Sequence, residues 1–345
     1  MKKTEVGILG ATGMVGQILI MLLGNHPWFE IKALSASPRS AGKRYKDAVH
    51  WLQAASIPEA VADLPIYQSG EPLPAQMLFS ALDASVAGEI EMLYAQNGSV
   101  VISNARNHRM RPDVPLLMPM VNPDHLSVAQ KQPYSGKIVT NPNCSTAGLV
   151  TALQPLQKNF GLRSVHVVTM QALSGAGYPG LSSLDIADNL IPYISGEEEK
   201  IEEETKKILG DFDGKNIESA NIEVSAQCNR VNVLDGHTES VLVSFQKEIH
   251  REEIIRAWQD YRSKPQILLL PSTPKRPIIW HTEAEYPQPR LHRMVEKGMA
   301  VHVGRLRQHD THTFSFTLLL HNTILGAAGT AIHNAELYIS QKGKK

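Results

Sequence analysis

Val6-Gly7-Ile8-Leu9-Gly10-Ala11-Thr12-Gly13-Met14-Val15-Gly16 is the stretch whose reading decides the fold. The first four residues read as a short buried strand. The glycines follow at once, and the apolar run 17–23 continues as a helix closed by Gly24-Asn25. Strand, tight glycine turn and helix N-terminus in that order make a cradle for a pyrophosphate, because the turn brings the backbone close and the first helical N–H groups lack partners of their own. The spacing is GxxGxxG rather than GxGxxG, so a glycine-rich turn without a ligand competes with the cradle; its place directly after the first strand favours the cradle.

The next strand bears on which dinucleotide is held. Ile31-Lys32-Ala33-Leu34 ends in Ser35-Ala36-Ser37-Pro38-Arg39-Ser40, with no Asp or Glu to take ribose hydroxyls. Hydroxyls at Ser35 and Ser37 and the guanidinium of Arg39 suit a 2′-phosphate. NADP is therefore favoured over NAD, against the plainer reading of a polar loop.

A chain of 345 residues is long enough for about two domains, each with its own core. Lys+Arg and Asp+Glu both number 34, so the formal charge is zero and nothing calls for a nucleic-acid or membrane-surface partner. The apolar runs are too short to span a bilayer and no signal-peptide pattern opens the chain, so a cytoplasmic protein is expected. Two cysteines do not make a disulfide framework. Short β-rich runs (77–80, 99–103) alternate with helix-like stretches up to about residue 140, which predicts an α/β fold with a parallel sheet. Beyond Cys144 the longer strand candidates 164–170, 239–245, 300–304 and 313–319 predict a mixed, partly antiparallel sheet. The stretch 326–339 is helix-compatible and suited to pack back on the first domain.

Asn141-Pro142-Asn143-Cys144-Ser145-Thr146 puts one of the two cysteines where a turn ends and a helix-compatible run begins. Free N–H groups and a partial positive charge at a helix start favour thiolate over thiol, which makes Cys144 a candidate nucleophile; a small buried hydrophobe near an N-cap is the alternative. Further on, Ser195-Gly196-Glu197-Glu198 has the form of a capping box, and the run to Leu209 reads as a helix stopped by Gly210. Most of its charges form a solvated face, with Glu202–Lys206 and Glu203–Lys207 pairs. Glu204 lies on the wheel beside Ile201 and Ile208, with Lys207 on the same flank, either as an inward binding carboxylate or as a surface ion pair. Downstream, Cys228-Asn229-Arg230-Val231-Asn232-Val233-Leu234-Asp235-Gly236-His237-Thr238-Glu239 sets an arginine and a histidine around a strand and its turn. Arg230 can fork a carboxylate, and His237 carries the ordinary pKa of an acid–base catalyst, although any one of 14 histidines is a surface or structural residue by default. Cys228 reads as a packing residue. No ligand set has metal-binding spacing, so no metal is assigned.

These motifs, together with Gln171-Ala172-Leu173-Ser174-Gly175-Ala176-Gly177 and Pro192-Tyr193-Ile194-Ser195-Gly196-Glu197-Glu198-Glu199, resemble aspartate-semialdehyde dehydrogenase of the archaeal and fungal type from end to end. The resemblance implies an NADP-binding Rossmann domain, a doubly wound parallel sheet, over residues 1–143 and 322–345. It implies a second, α+β catalytic and dimerisation domain of mixed sheet over 144–321, and a homodimer or homotetramer. It further implies Cys144 as nucleophile, His237 as acid–base catalyst and Gln171 as the residue orienting a thioester intermediate. Arg230 would bind the substrate carboxylate, Glu204 its ammonium, and Arg109 with Lys207 the phosphate. Gly10, Thr12, Gly13, Met14, Val15, Ser35, Ser37, Arg39, Ser174, Gly175 and Asn322 would contact NADP. The reaction implied is reversible reductive dephosphorylation of L-4-aspartyl phosphate to L-aspartate 4-semialdehyde, in lysine, methionine and threonine biosynthesis.

The chain departs from the family pattern at Met120, where Glu is usual, at Asn232, where Pro is usual, and at Leu325, where Arg is usual before Gly326-Ala327-Ala328-Gly329. Two neighbouring readings are a malonyl-CoA reductase, with the same nucleophile logic and an acyl-CoA substrate, and a catalytically silent NADP-binding sensor. N-acetyl-glutamyl-phosphate reductase shares the architecture but fits the contexts of Cys144 and Gly236-His237-Thr238-Glu239 poorly.

Overall fold

The computed structural model describes residues 2–342. The strands that build its two large sheets are β1 (Thr4–Leu9), β2 (Phe29–Ala36), β3 (Ile66–Gln68), β4 (Met77–Ser80), β5 (Val100–Ser103), β6 (Lys137–Thr140) and β7 (Leu162–Gln171). A small hairpin follows, β8 (Asp211–Phe212) with β9 (Ile217–Glu218), and then β10 (Glu223–Arg230), β11 (His237–Phe245), β12 (Ile278–Trp280), β13 (Val301–Gln308) and β14 (Thr313–Leu320). The longer helices are α1 (Met14–Leu23), α2 (Ala84–Gln96), α3 (Cys144–Phe160), α4 (Glu197–Ile208), α5 (Arg251–Gln259) and α6 (Gly329–Lys342). The chain divides into two compact units. One comprises Met1–Leu117, Asp124–Asn141 and Ala327–Lys345, the other Met118–Pro123 and Pro142–Gly326.

The first unit is a six-stranded sheet of order β3-β2-β1-β4-β5-β6, parallel throughout, which is the doubly wound arrangement of Rossmann type. The chain runs outward from β1 through β2 and β3 and then returns to the other side of β1 as β4. Right-handed crossovers made in opposite directions put α1 and α2 on opposite faces. The switch in direction leaves a crevice at the carboxyl end of β1, where the glycine turn lies. The C-terminal helix α6 is part of this unit. His26 Nε2 meets Glu336 Oε1 at 2.8 Å, and Asn334 Nδ2 donates to Asn141 Oδ1 at 2.7 Å.

The second unit carries the mixed sheet β10-β7-β11-β14-β13-β12, parallel at both outer pairs and antiparallel between. Helices α3, α4 and α5 pack on it. Burial alternates along β7 and β11. Val165, Val167, Val241 and Val243 face the core, while His166, Val168, Ser240 and Leu242 stay exposed on the opposite face. Trp258 of α5 stacks on Trp280 with ring centroids 5.8 Å apart, meets Phe316 edge-on, and donates its indole N–H to Ala152 O of α3 at 2.9 Å. Met118–Pro123 groups with this unit, since Gln154 Nε2 and Tyr261 OH bond to Val121 O and Met120 O.

The capping box expected at 195–198 does not form. Gly196 is the N-cap of α4 with φ +64°, a left-handed conformation that glycine takes without strain, and no side chain caps the helix. The solvated face is narrower than its sequence suggested. Glu198 and Glu202 turn to the edge strand, where they accept from the N–H groups of Cys228 and Ala226 at 2.9 and 3.0 Å.

Glu91 of α2 is fully buried, and burial raises its carboxyl to about 7, against the lowering by Ser80, Ser103 and Arg109. Its neutral form is the one the fold stabilises. Stability from this group is therefore present below the unfolded value near 4.5 and lost as pH rises toward 7. Glu91→Gln, neutral at every pH, should match the wild type in thermal unfolding at pH 4.5 and exceed it at pH 8 by up to about 3 kcal/mol. A variant equally stable or less stable at pH 8 would contradict this.

Candidate active site

Sheet polarity assembles the cluster. β10 and β7 run parallel, with Arg230 opposite Gln171 at their carboxyl ends, and β11 runs antiparallel to β7, so its first residue, His237, starts at the same end. The N-terminus of α3 brings Cys144 to them. Cys144 Sγ lies 3.2 Å from His237 Nε2, with the thiol partly exposed and the imidazole fully buried. Arg230 is buried and donates from Nη1 to Ala172 O at 2.7 Å.

His237 departs from the expectation of an ordinary pKa. Burial, then the Arg230 guanidinium, then His321, hold it well below the usual imidazole range. Its Nδ1 accepts from the Ala172 N–H at 3.0 Å, which places the proton of the neutral ring on Nε2, facing sulfur. The start of α3 offers fewer free N–H groups to Cys144 than a bare helix end would. Asn143 caps α3, its Oδ1 accepting from the N–H groups of Ser145 at 2.9 Å and Thr146 at 3.4 Å, so these two donors are already used.

Glu204 is buried, which removes the surface-pair reading, and its Oε2 accepts from the Asn143 N–H at 2.6 Å. Lys207 is buried one turn further along α4. Gln171 donates from Nε2 to Thr169 Oγ1 and Glu197 Oε2, both at 3.4 Å. Asn322 joins Ser174 to the strand turn, donating from Nδ2 to Ser174 Oγ and accepting from the Gly236 N–H, both at 2.8 Å. Gly175 must be small. A Cβ there would stand 2.8 Å from Arg230 Nη1 and 3.0 Å from His237 Cε1. Cys228 is buried and its thiol is pushed up to about 12 by burial, as suits a packing residue.

Sequence reasoning missed three residues of this cluster. In sequence Asn143 reads only as part of a turn. Glu197, whose carboxylate accepts from Asn143, Gln171 and Lys200, was read as part of a cap. Glu239 is fully buried beside Ser145, and burial raises its carboxyl well above the usual range against the lowering by the Ser145 hydroxyl. Its place in Gly236-His237-Thr238-Glu239, two residues from His237 on the same strand face, was the available signal.

The departures from the family pattern leave the cluster intact. β10 runs unbroken to Arg230, and the Val231 N–H still reaches Gln171 O at 3.0 Å ahead of Asn232. Leu325 is fully buried in a π-helical turn, Ile324–Ala328.

The remaining residues singled out from sequence lie in the first unit. Gly10 has φ +73°, and a Cβ there would come within 2.5 Å of Ala81 O; one at Gly16 would come within 2.3 Å of Gly10 O. α1 starts at Met14 behind the exposed Gly13 without any side-chain cap, and Thr12 and Val15 are half-buried beside it. The turn is pinned from beneath by Tyr45 OH on Ala11 O at 2.9 Å and Gln17 Nε2 on Thr12 O at 3.0 Å. Ser35 is buried with its hydroxyl 3.1 Å from Ser69 Oγ, whereas Ser37 and Arg39 are exposed past the end of β2. Arg109 is buried and donates from Nη2 to Asn104 O at 2.7 Å, just past the carboxyl end of β5.

A parallel sheet of dinucleotide-binding type followed by a mixed-sheet unit with a cysteine–histidine pair is an arrangement that semialdehyde dehydrogenases share, and two family models of that class match the chain. Residues 5–129 match "Semialdehyde dehydrogenase, NAD binding domain" and residues 153–325 match "Semialdehyde dehydrogenase, dimerisation domain". The aspartate-semialdehyde dehydrogenase of Archaeoglobus fulgidus is 48% identical over 343 residues, 98% of each chain, and that of Schizosaccharomyces pombe is 47% identical over 350 residues, again 98% of each. The crystal structure of aspartate semialdehyde dehydrogenase with NADP from Candida albicans superposes with a TM-score of 0.90 at 42% identity, covering 99% of both chains. The chain belongs to the aspartate-semialdehyde dehydrogenase family, whose members are phosphorylating aldehyde dehydrogenases.

Gly326 fixes how closely the turn after β14 approaches the nucleophile. A Cβ there would lie 2.8 Å from Cys144 Cβ and 3.0 Å from its Cα, and the backbone cannot yield as a side-chain tip would. Gly326→Ala should push Cys144 away from His237 and slow its alkylation by iodoacetamide at pH 7, roughly tenfold if the 3.2 Å contact is lost. An unchanged rate would mean that the turn gives way without moving the cysteine.

Proposed function

We propose that the chain is an NADP-dependent enzyme interconverting L-4-aspartyl phosphate and L-aspartate 4-semialdehyde with inorganic phosphate, through a thioester on Cys144. The observation that carries this reading is the 3.2 Å contact of Cys144 Sγ with His237 Nε2 beside the buried Arg230. The first unit suits NADP: the glycine turn leaves room where a Cβ would clash, the uncapped start of α1 offers N–H groups to a pyrophosphate, and Ser37 and Arg39 stand exposed with no acidic neighbour in 35–40 to repel a 2′-phosphate. On this reading Gly10, Thr12, Gly13, Met14, Val15, Ser35, Ser37 and Arg39 hold the nucleotide, and Ser174, Gly175 and Asn322 contact it from the catalytic unit. NADP, when bound, supplies a hydride acceptor in one direction and a hydride donor in the other.

The protein's own groups do the rest. Cys144 attacks the aldehyde carbon as thiolate, forming a carbon–sulfur bond and an oxyanion. The His237 Nε2–H donates to sulfur before the attack and to the oxyanion after it. Collapse of the oxyanion, with departure of hydride, leaves the thioester, whose orientation is assigned to Gln171. Phosphate held by Arg109 and Lys207 then displaces sulfur, releasing aspartyl phosphate and restoring the thiolate. Arg230 has one donor engaged with Ala172 O and keeps others for the substrate carboxylate, while Glu204 faces the ammonium. The biosynthetic reaction runs in reverse. A homodimer or homotetramer is proposed through the open face of the second sheet, where Val168 and Leu242 are exposed and which falls within the residues matching the dimerisation-domain model.

The purified protein should reduce NADP⁺ with aspartate semialdehyde only when phosphate is present, and should ignore malonyl-CoA. Cys144→Ala should abolish this turnover while NADP still binds, since nucleophile and glycine turn are separate machinery. Efficient malonyl-CoA reduction, or NADP binding without any turnover by the intact chain, would replace the reading with a malonyl-CoA reductase or a silent sensor.

Arg39→Ala should remove one charge-assisted contact worth about 1.5–3 kcal/mol, raising the KM for NADPH tenfold or more while that for NADH changes little. Equal effects on both cofactors would take Arg39 away from the phosphate.

A further inference from the structure

We propose that Glu197 is a positioning residue for Cys144, acting through the side chain of Asn143. This rests on Cys144 being the nucleophile. Asn143 immediately precedes Cys144 and is gripped at two points by one helix. Its main-chain N–H donates to Glu204 Oε2 at 2.6 Å and its Nδ2 donates to Glu197 Oε2 at 2.7 Å. The two carboxylates are seven residues apart on α4, two turns of one face.

The grip settles which way the Asn143 amide points. With Nδ2 held by the carboxylate, Oδ1 faces the N–H groups of Ser145 and Thr146 and caps α3; turned over, it would set oxygen against carboxylate and NH₂ against N–H. Glu197 is itself anchored, its Oε1 taking the Lys200 ammonium at 2.6 Å. Burial alone would raise its carboxyl, but Lys200, then Asn143 and Gln171, hold it below the usual range, so it stays the charged acceptor this geometry needs. Oε2 also draws Gln171 Nε2 at 3.4 Å, so the same oxygen orients a second amide of the cluster. Glu197 thus sets the first turn of the helix that presents the thiol, without contacting substrate.

The test separates position from charge. Glu197→Ala removes the acceptor, whereas Glu197→Gln drops the charge and keeps an oxygen for Asn143. In Glu197→Ala, kcat should fall roughly tenfold or more while the KM for aspartate semialdehyde stays within about threefold, and Glu197→Gln should recover most of that loss. Alkylation of Cys144 by iodoacetamide at pH 7, which needs neither substrate nor cofactor, should slow about threefold or more in the alanine variant. Loss of a nearby negative charge would by itself favour thiolate and speed the reaction, so slowing reports displacement. Unchanged or faster alkylation overturns the proposal, as does an equal fall in kcat in the alanine and glutamine variants.

Should Glu197→Ala fail to fold, Asn143→Asp sets carboxylate against carboxylate at the same contact, and adding Glu197→Gln restores a donor facing an acceptor. The same charge is lost when Glu197→Gln is made in the otherwise wild-type chain, so the comparison is between backgrounds: Glu197→Gln should speed alkylation about threefold or more beyond its own effect when added to Asn143→Asp, and an equal effect in both backgrounds overturns the proposal. A chain inactive on aspartate semialdehyde but with these alkylation differences would refute the reaction and leave the positioning role standing.

Discussion

The 3.2 Å contact between Cys144 Sγ and His237 Nε2 is the constraint on which the second unit is built, because its two partners come from elements with nothing local in common. The cysteine is the first residue of a helix and the histidine the first of a strand 93 residues later. They meet because three neighbouring strand ends, carrying Arg230, Gln171 and His237, open toward the same edge, and because α3 starts over that edge. The helix is held at its start by Asn143 and at its middle by the Trp258 indole on Ala152 O, so the nucleophile's height above the sheet is fixed from two directions. Small residues keep the approach open. A side chain at Gly175 would strike Arg230 and His237, and one at Gly326 would strike Cys144.

Burial of so many polar groups at one edge is costly, and the site handles the cost by choosing protonation states. His237 is kept neutral because an imidazolium would face Arg230, would lack solvation and would turn an N–H against the Ala172 N–H. Glu239, beneath the first turn of α3, is driven toward its neutral form by burial, against the pull of the Ser145 hydroxyl. Arg230, whose guanidinium is lowered by burial and raised by Cys144, Glu197 and Cys228, remains the cation beside the sulfur. A donor at Nε2 and a cation alongside stabilise negative charge on sulfur and then on oxygen, which is the sequence of charges that thiolate attack on an aldehyde generates.

The parts legible in the sequence are those whose cause is local. A strand, a glycine turn and an apolar helix are contiguous, so the parallel sheet and its crevice could be read from residues 6–23, and the alternating strands beyond Cys144 announced the mixed sheet. Cys144 stood out because its turn and helix adjoin it. What stayed hidden depends on pairing across distance: the Glu197–Asn143 bond spans 54 residues, and nothing in either neighbourhood marks the other. The capping box failed for a conformational reason, since Gly196, in a left-handed φ, and not Ser195 stands at the N-cap, and glycine has no side chain to cap with. The ordinary pKa expected of His237 failed because burial and the Arg230 charge are properties of the fold rather than of the residue. Glu204 was found by its phase on the helical wheel, but the wheel cannot say that its partner is a backbone N–H.

That last contact changes what Glu204 can mean. In the proposed reaction its carboxylate meets the substrate ammonium, yet Oε2 is already bonded to the Asn143 N–H at 2.6 Å. Recognition of the ammonium and restraint of the residue before the nucleophile would then share one side chain. Glutamine at this position can still offer an oxygen to Asn143, but only by turning its NH₂ toward the ammonium, so two donors would oppose each other where one was matched. Turned the other way, it would satisfy the substrate and release Asn143. Either orientation couples binding to catalysis, because loss at the substrate reads out in KM and loss at Asn143 reads out in kcat. A carboxylate is the one side chain of this length with an acceptor at both ends of its fork and therefore no such choice to make, which is a physical reason for Glu rather than Gln at 204.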